Sequence, residues 1–436
     1  MPKVSVLIPI YNVEKYLRQC LNSVVNQTLE DIEIICINDG STDSSLNIIS
    51  DYAKAHNNIK IINKKNTGYG HSMNCGLKLA KGEYIGIVES DDFADLNMFK
   101  TLYNKAKSCN AEVLKASWFR QIGDNAIFTK LSNLPYDQIF VPRIEYPQIF
   151  SPPIAIWSAI YKREFLLKND IYFNETPGAS YQDVSFVFKV WSCAERVILI
   201  KDGFLHYRID NPNSSVKSKE KAYCIFDEFK EINRFLKNRH DIYDPCIYIT
   251  EPVKFKHYLS NYKRIDDIFK FNFLEHMYEE FKNDNEIGHL NKDYWQEENW
   301  QKLEFLLNNK KGFFYKQYEE NQNVHLYKYG VYSLMKHFKK IYIYGAGVLA
   351  ALALYNLIKN QFNVSKILVS DINDNPNKLL GVEVTHFDNF LIDKEQDLIL
   401  IAVNEKIQYD ILYKLQKEGY KNIIVMTTGL QRVLTR

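Results

Sequence analysis

The sequence lacks long apolar runs. No window holds 18 or more uninterrupted apolar residues, whereas a membrane-spanning helix needs roughly 20. The start of the chain, MPKVSV, also lacks the long apolar core of a secretory signal peptide. We therefore expect no transmembrane helix and a cytoplasmic location, with the inner face of the cell membrane as a possible place of contact.

Paired cysteines and an excess of one charge are also absent. The seven Cys are an odd number, are scattered, and form no C-x-x-C pair, which favours reduced thiols in a cytoplasmic protein. The 55 Lys and Arg residues nearly balance the 53 Asp and Glu residues, for a net charge of +2. This balance gives no electrostatic argument for a nucleic-acid partner.

The chain is long enough for several domains of ordinary composition. It has 436 residues, of which 46% are hydrophobic and 25% are charged, as in a globular protein. A single core of this size is uncommon, so we expect two or three domains. Changes in the sequence pattern place them at residues 1–215, 216–335 and 336–436.

Short apolar runs alternate with helical patterns over the first hundred residues. This alternation predicts an α/β fold, with a parallel sheet between layers of helices. Ligands of such sheets bind beyond the carboxyl ends of the strands, and four polar clusters follow the strands here. The predicted strands are Lys3–Pro9, Ile32–Asn38, Ile59–Asn63 and Tyr84–Val88, and the clusters are Tyr11-Asn12, Asp39-Gly40, Asn66–Gly70 and Glu89–Asp92.

The middle of the chain has a different pattern from its two ends. From about 217 to 335 the sequence is helical, polar and rich in Lys, Phe and Tyr, which predicts a helical connector or subdomain. This basic and aromatic mixture could contact a membrane surface, although the solvated face of a helix is the simpler explanation. The last hundred residues return to an α/β pattern.

The segment Glu89-Ser-Asp-Asp92 places three carboxylates within four residues at the end of an apolar strand. Their mutual repulsion costs stability unless a cation is present, and Mg²⁺ or Mn²⁺ bound to a diphosphate would relieve it. The same cluster could instead cap a helix that begins near Phe93. The residues alone favour neither explanation.

Two other segments could also contact a ligand. Asp39 follows the second predicted strand and could accept a hydrogen bond from a base or a ribose, or could cap the next helix. The loop Asn66–Gly70 contains two glycines, so it could approach a ligand closely or form an ordinary turn.

Five segments, in this order, resemble the successive motifs of glycosyltransferase family 2. They are Val4–Asn12 (VSVLIPIYN), Cys20–Thr28 (CLNSVVNQT), Ile37–Asp43 (INDGSTD), Asn66–Gly76 and Gly82–Asp92 (GEYIGIVESDD). The resemblance covers about residues 3–210. It implies the GT-A fold, a nucleotide-sugar donor and a role in the assembly of bacterial capsule or cell-surface polysaccharide.

The resemblance implies a donor site built from the polar clusters. Pro9 and Tyr11 would flank the donor base, and Asp39 would bind uracil or its equivalent. The full set of donor-binding residues that we expect is Pro9, Tyr11, Asp39, Asn66, Gly68 and Asp91.

The resemblance also implies that the acidic motif serves a metal, Mn²⁺ or Mg²⁺, and the ribose-diphosphate through Asp91 and Asp92. Glu89 is a further candidate ligand, but it stands where the family usually has Asp, and its additional methylene could move the carboxylate. The family's frequent Ala-Arg-Asn is Ser72-Met73-Asn74 here, so an Arg that could meet a phosphate is missing. His206 could complete the metal site or could be a structural histidine.

The acceptor side is expected at the helix start Ala179–Phe186 (ASYQDVSF). An inverting transfer needs a general base that deprotonates the acceptor hydroxyl, and members of the family usually place it in a Glu-Asp pair. Asp183 takes that position and Gln182 replaces the Glu, although Asp183 could also be an ordinary charge at a helix N-terminus. Trp157 resembles an acceptor-side Trp of the family and could stack on a sugar or belong to the core.

The last hundred residues resemble half of a Rossmann-like dinucleotide-binding domain. Gly345 and Gly347 follow a predicted strand, and Asp371 ends the next one. Glycines permit a tight turn, a helix N-terminus attracts phosphate, and the Asp could hold ribose hydroxyls. NAD(P) is therefore a possible ligand, but no substrate-reducing motif supports it, and the domain could be structural or nucleotide-sensing.

These features predict a metal-dependent, inverting glycosyltransferase that uses a UDP-sugar or a related donor and a glycan or lipid-linked acceptor. A second hypothesis adds oxidation or reduction of a nucleotide sugar by the C-terminal domain. A third is an assembly subunit with a degenerate site, consistent with the departures at Glu89, Met73 and Gln182. No feature of the sequence identifies the sugar, the linkage or the oligomeric state.

Overall fold

The computed structural model describes residues 1–151, 153–211, 221, 223–265, 267–373, 375–427 and 430. The chain forms two compact units, one of residues 1–258 with 289–294 and the other of residues 259–288 with 295–436. The division falls inside the region that we expected to be helical, and the boundary expected after residue 215 lies outside the described residues. The three-part division stays a prediction.

The four strands predicted from the apolar runs are confirmed, and they are β1 to β4 of the first unit. Its strands are β1 (Val4–Ile10), β2 (Ile32–Asp39), β3 (Ile59–Lys64), β4 (Tyr84–Ile87), β5 (Phe93–Ala94), β6 (Val113–Ile122), β7 (Asn125–Thr129), β8 (Ile139–Phe140), β9 (Ala159–Lys162) and β10 (Val197–Arg208). Its helices are α1 (Glu14–Val25), α2 (Ser45–Ala55), α3 (Tyr69–Leu79), α4 (Met98–Ser108), α5 (Pro142–Glu145), α6 (Arg163–Lys168), α7 (Gln182–Cys193), α8 (Cys224–Lys237) and α9 (Tyr243–Arg264), whose last residues belong to the second unit.

The strands of the first unit form one ten-stranded mixed sheet. The order is β3-β2-β1-β4-β9-β6-β10-β5, with β7 paired to β6 and β8 to β10. The neighbours among β3, β2, β1 and β4 are parallel, whereas β9 runs antiparallel to both β4 and β6. Every residue of β1 and β2 is buried, as expected for strands covered on both faces. The carboxyl ends of β1, β2 and β4 therefore lie at one edge of the sheet.

The second unit contains the α/β pattern of the last hundred residues together with several of the helices that precede it. Its helices are α10 (Asp267–Glu286), α11 (Glu297–Asn308), α12 (Lys310–Tyr329), α13 (Val331–Met335), α14 (Val348–Lys359) and α15 (Glu405–Lys417). Its strands are β11 (Ile341–Tyr344), β12 (Val364–Val369), β13 (Lys378–Leu379), β14 (Val382–His386), β15 (Leu398–Ile401) and β16 (Ile423–Val425). Within the described parts of both units, none of the helices is long and apolar enough to span a bilayer.

The sheet of the second unit has the order β13-β14-β12-β11-β15-β16. All neighbours are parallel except the β13–β14 hairpin. Numbered along the chain, the five parallel strands follow the order 3-2-1-4-5, which is that of a doubly wound dinucleotide-binding sheet. The described part of the link from β12 to β14 contains the short strand β13 where such sheets have a helix.

A side chain of α12 pairs with β16, the last strand in that order. The Gln322 side-chain amide donates to the Val425 carbonyl oxygen at 2.8 Å, and its own oxygen accepts from the Val425 N–H at 2.8 Å. Tyr318, one helical turn earlier, donates its hydroxyl to the Ile423 carbonyl oxygen at 2.8 Å. The helix thus occupies backbone groups on the edge strand.

Candidate functional site

The predicted donor residues of the first unit lie at or just beyond the carboxyl ends of the strands β1 to β4. Pro9 is buried inside β1, and Tyr11, just beyond this strand, is 52% exposed. The next residue, Asn12, accepts a hydrogen bond from the Thr42 N–H at 2.8 Å, which ties this loop to the loop after β2. Tyr11 is free to stack on a base, and its role with Pro9 stays a prediction.

Asp39, the last residue of β2, anchors the loop that contains the predicted Asn66 and Gly68. The Thr67 N–H donates to Asp39 Oδ1 at 2.9 Å, and the Gly68 N–H donates to Oδ2 at 3.0 Å. Lys64 also forms an ion pair with Oδ1. The carboxylate is buried and largely occupied, so its observed role is to hold the loop. Recognition of a base by its remaining acceptor capacity stays a prediction.

The same loop packs closely against the segment that precedes α7. The Tyr69 N–H donates to the Gly178 carbonyl oxygen at 2.9 Å. A Cβ atom added at Gly70 would lie 1.9 Å from the Asn174 carbonyl oxygen, and one at Gly68 would lie 2.9 Å from the Gly178 nitrogen. Because only glycine fits at these contacts, the loop packs directly against the segment that leads to α7, where the acceptor side is expected. Asn66, before the glycines, is exposed.

Glu89, the first residue of the acidic motif, accepts a hydrogen bond from the Tyr69 hydroxyl at 2.6 Å. Burial raises the pKa of the Glu89 carboxyl to about 8, and the charges of Asp91 and Asp183 raise it further against the effect of this hydrogen bond. The Tyr69 hydroxyl occupies one oxygen of Glu89. A part for Glu89 in cation binding stays a prediction.

Asp91 and Asp92 offer a better donor set for a cation. Asp91 is partly exposed, and its Oδ2 accepts from the Asn211 side-chain amide at 2.7 Å. Asp92 Oδ1 accepts from the Arg208 N–H at 2.7 Å, whereas its buried Oδ2 has no hydrogen-bond partner among the described residues. Burial and the charge of Asp91 raise the pKa of Asp92. An orphaned carboxylate oxygen beside a second carboxylate fits Mg²⁺ or Mn²⁺.

His206, the remaining metal candidate, is held by other side chains. Its Nδ1 lies 3.0 Å from the Gln121 side-chain oxygen, and its Nε2 lies 3.3 Å from Asp95 Oδ1. The ring stacks between Phe93 and Phe119, with centroid distances of 4.4 and 4.8 Å. Both nitrogens are engaged, so this geometry favours the structural alternative over metal binding.

Arg208 is a site residue that the sequence analysis missed. Its Nε donates to the Asp91 carbonyl oxygen at 2.9 Å, and its Nη2 donates to the Gln19 side-chain oxygen at 2.7 Å. The guanidinium also lies 4.8 Å from the centroid of the Tyr16 ring. A positive charge therefore adjoins the acidic motif, although the Arg of the family motif is absent. The sequence indicates Arg208 only by its position two residues after His206, a predicted metal ligand.

Asp183 lies in the first turn of α7, directly after Tyr181 and Gln182. Tyr181 has a φ of 63°, and Gln182 is buried, with its amide donating to Thr176 Oγ1 at 2.9 Å. Gln182 thus fixes the preceding loop. Burial raises the pKa of Asp183 to about 6. Burial also raises the pKa of Tyr69, and the charges of Glu89 and Asp183 raise it further. The segment before α7 accepts from the Tyr69 N–H, and the Tyr69 hydroxyl donates to Glu89, so Tyr69 connects the start of α7 to the acidic motif.

Trp157, the predicted acceptor residue, is only 8% exposed. Its ring stacks on Tyr207 at 5.0 Å and meets Trp118 edge-on at 5.7 Å. Burial raises the pKa of Tyr207 to about 12, with further contributions from Asp92, Asp91, Glu89 and Asp183. Tyr207, which the sequence analysis did not select, is therefore a further aromatic residue close enough to sense these carboxylates, and Trp157 packs against its ring. A direct sugar contact by Trp157 stays a prediction.

The residues predicted for a second nucleotide site lie in the second unit, after the strands β11 and β12. Gly345 has a φ of 118°, and an added Cβ atom would lie 2.7 Å from the Ala402 carbonyl oxygen. Gly347 precedes α14 with open space around it. Asp371 is exposed, and its Oδ1 accepts from the Asn373 N–H at 3.0 Å. Gly345 and Gly347 follow β11, beside which the strand order reverses, and Asp371 follows the neighbouring β12. Nucleotide binding by these residues stays a prediction.

Comparisons with known proteins agree with the motifs of the first unit. Residues 5–170 match the model of the family described as "Glycosyl transferase family 2". The chain is 31% identical over 229 residues to the uncharacterized glycosyltransferase EpsJ of Bacillus subtilis, and the alignment covers 49% of this chain and 63% of EpsJ. It is 30% identical over 213 residues to the glycosyltransferase GlyG of Streptococcus pneumoniae, and that alignment covers 47% of this chain and 70% of GlyG.

Solved structures support the fold class. The 1–349 fragment of S. aureus TarS, in complex with UDP-GlcNAc, matches 75% of this chain and 92% of the fragment with a TM-score of 0.56 and 21% identity. This likeness concerns the fold alone, and it confirms the predicted GT-A class. The chain spans less than two thirds of EpsJ and more than two thirds of GlyG. Since the matched region contains the ordered motifs and the carboxylates at the strand ends, the chain belongs to glycosyltransferase family 2.

Proposed function

We propose that the chain transfers a sugar from a UDP-sugar, or a related nucleotide sugar, to a hydroxyl of a glycan or lipid-linked acceptor. The proposal depends on the place of Asp183 in the first turn of α7. The segment before this helix accepts from the Tyr69 N–H, and the Tyr69 hydroxyl donates to Glu89 of the acidic motif. These contacts link the candidate base to the candidate diphosphate site. TarS, which has a similar fold, was solved with UDP-GlcNAc and with UDP, which supports a uridine nucleotide.

The proposed step is a single inverting displacement. Asp183 takes the proton of the acceptor hydroxyl while the hydroxyl oxygen forms a bond to the anomeric carbon. The bond from that carbon to the diphosphate oxygen breaks, and the diphosphate leaves with the electron pair. Attack from the opposite face inverts the anomeric configuration. A pKa of about 6 leaves Asp183 mainly ionised at neutral pH and still basic enough for this proton transfer.

Asp91 and Asp92 would hold the divalent cation, Mn²⁺ or Mg²⁺. The unpartnered buried oxygen of Asp92 is the observation that supports this assignment. When bound, the cation supplies positive charge for the leaving diphosphate. Arg208 orients the same motif, because its backbone and its guanidinium both donate to it.

A panel of nucleotide sugars, with and without Mn²⁺, tests the proposal on the full chain. We expect mass spectrometry to detect release of nucleoside diphosphate from one donor, faster with the metal than without it. Asp183→Asn is the matched control, because it should still bind UDP but release little product. If every donor stays intact and UDP does not raise the melting temperature, a degenerate assembly subunit becomes the better hypothesis.

A nucleotide site in the second unit is a second candidate function. The strand order 3-2-1-4-5 and the open space at Gly347 favour it. Thermal stabilisation by NAD(P) that is lost in Asp371→Ala would support this site and the hypothesis of a bifunctional enzyme. Absence of any stabilisation would favour a structural domain. The acceptor, the capsule or surface glycan it belongs to, and contact with a membrane surface stay predictions.

A further inference from the structure

Glu228 is a buried carboxyl that the proposed mechanism does not use. It lies on α8, beyond the residues 5–170 that match the family model, and its side chain is fully buried. Glu228 Oε1 accepts from the Asn174 side-chain amide at 3.0 Å, and Oε2 accepts from the Ser185 hydroxyl. A buried carboxyl is costly unless hydrogen bonds satisfy it, so this one stabilises a single arrangement of its two partners.

The two partners of Glu228 lie on either side of the candidate base. Ser185 is in the first turn of α7, two residues after Asp183. Asn174 lies in the segment that leads to this helix, and it is the residue whose carbonyl oxygen packs against Gly70. Glu228 therefore contacts both the helix that places the base and the segment that adjoins the donor loop.

The segment around Asn174 is also bound from the donor side. Asn74, a buried residue of α3, accepts from the Phe173 N–H at 2.9 Å. Its amide donates to the Phe173 carbonyl oxygen and to Glu175 Oε1, both at 2.9 Å. The segment is thus fixed between Asn74 of the donor half and Glu228 of α8.

We propose that Glu228 is a positioning residue for glycosyl transfer, which holds Asp183 in register with the donor loop through Ser185 and Asn174. The proposal rests on the proposed function of Asp183. Transfer depends on a near-attack arrangement of the hydroxyl, the base and the anomeric carbon, whereas nucleotide binding does not. Loss of Glu228 should therefore affect turnover more than donor affinity.

Three variants of the full chain test this role. Glu228→Ala removes both hydrogen bonds, whereas Glu228→Gln keeps a neutral group of similar shape. Burial raises the pKa of Glu228 to about 8, so the wild-type carboxyl is largely neutral at pH 7 and Gln is a close substitute. Asp227→Asn is the matched control, because Asp227 is the preceding residue on the same helix and its side chain is 51% exposed and pairs with Lys230. The Asp227 carbonyl oxygen, which accepts from the Asn174 amide at 3.3 Å, is unchanged in this variant.

We expect Glu228→Ala to lower kcat for UDP release from UDP-GlcNAc, or from the active donor of the panel, by between about 10- and 100-fold. The calorimetric Kd for UDP with Mn²⁺ should change by less than about twofold, and Glu228→Gln should recover most of the rate. Hydrogen–deuterium exchange should accelerate in residues 172–186 of the Ala variant only. Asp227→Asn should match the wild type in all three measurements.

The outcomes separate this role from the proposed function itself. Unchanged kcat in Glu228→Ala, or an equal loss of kcat and UDP affinity, overturns the positioning role while the wild-type activity stands. If the wild type releases UDP from no donor, the proposed transfer fails. Hydrogen–deuterium exchange of Glu228→Ala then tests the contacts separately. Faster exchange in residues 172–186 supports the role of Glu228 in holding this segment, and unchanged exchange overturns that role.

Discussion

At the scale of single residues, the proposed reaction depends on the ionisation of Asp183. Burial raises the pKa of this carboxyl to about 6, and only the ionised form can accept a proton. The transfer rate should therefore rise with pH up to about 6 and level off above it. Asp183→Asn should lower the rate at saturating donor by roughly 10² or more, with donor affinity nearly intact. Steady-state rates across pH and a direct measurement of donor binding check this, and near-normal turnover of the folded variant would remove Asp183 from the mechanism.

The proposed cation site at Asp91 and Asp92 leads to a separate prediction about donor binding. Asp91→Asn and Asp92→Asn should each weaken the binding of UDP in the presence of Mn²⁺, because each removes a negative charge from the candidate cation site. Asp95→Asn is a nearby control, since Asp95 is 49% exposed and contacts His206. Isothermal titration with and without Mn²⁺ measures the effect. Unchanged binding that is independent of metal in both site variants would contradict the metal assignment.

The position of Asp39 could be predicted from the sequence, but its contacts could not. Its place at the carboxyl end of a strand follows from the apolar run before it, so its presence near the site could be predicted. Its partners Lys64, Thr67 and Gly68 lie 25 to 29 residues further along the chain. The sequence contains no pattern that joins them, because the contacts depend on how two loops meet. Arg208 was missed because its contacts with Asp92 and Asp91 span 116 and 117 residues, and the sequence offers only its place near His206 as an indication.

At the scale of elements, the contact between the donor loop and the segment before α7 requires glycine. A Cβ atom at position 70 would lie 1.9 Å from the Asn174 carbonyl oxygen. Gly70→Ala should therefore displace the loop, destabilise the fold by about 1–3 kcal/mol and weaken UDP binding. Thermal denaturation and calorimetry measure these effects. Gly347→Ala is the control for stability, since no heavy atom lies within 4 Å of its added Cβ, and UDP binding is compared with the wild type. A Gly70→Ala protein that is as stable as this control contradicts the prediction.

The interface between α7 and α8 should make stability depend on pH. Burial in the folded state raises the pKa of Glu228 from 4.5 to about 8, against the effect of its hydrogen bonds from Ser185 and Asn174. The charge of Asp183 acts in the same direction as burial, and that of Lys189 opposes it. The folded state thus binds a proton more tightly than the unfolded state, so this contribution to stability is complete below pH 4.5 and is lost as the pH rises through about 8. The melting temperature of the wild type relative to Glu228→Gln should fall between pH 5 and pH 9. A constant difference would mean that Glu228 does not titrate in this range.

The elements themselves were predictable where one periodicity dominates. β1 (VSVLIPI) and β2 (IEIICIND) are mainly apolar and do not alternate with polar residues in a regular way, because buried parallel strands need no polar face. The antiparallel insertion of β9 between β4 and β6 was not predicted, since its pairing connects strands far apart in the sequence. The role of Glu228 was equally inaccessible, because Asn174 lies 54 residues before it.

At the scale of the whole molecule, the helical region is expected to matter to the transferase site. A chain ending at residue 335 retains α8 and should keep the transferase activity of the full protein, because the predicted catalytic residues all precede residue 210. A chain ending at residue 215 lacks α8 and Glu228 and should lose most of it. Donor-release rates of the two purified fragments measure the difference. Full activity in the shorter fragment, or none in a folded longer one, contradicts this expectation.

The division of the chain was the least predictable feature. Composition distinguishes the helical region from the α/β regions, but it does not indicate the core on which each helix packs. α8 forms hydrogen bonds with α7 in the first unit, whereas Phe271 of α10 packs against Tyr413 of α15 in the second. These contacts assign neighbouring helices of similar composition to different units.

The pairing of Gln322 with β16 has a consequence for work with isolated fragments. β16 ends the strand order of its sheet, and an edge strand with unpaired backbone groups is a template for pairing with another chain. Gln322 satisfies both the N–H and the carbonyl oxygen of Val425. A fragment that begins at residue 336, where the sequence suggests a domain boundary, would lack this side chain and expose the edge. We expect such a fragment to self-associate strand to strand and aggregate, even where its sheet remains folded.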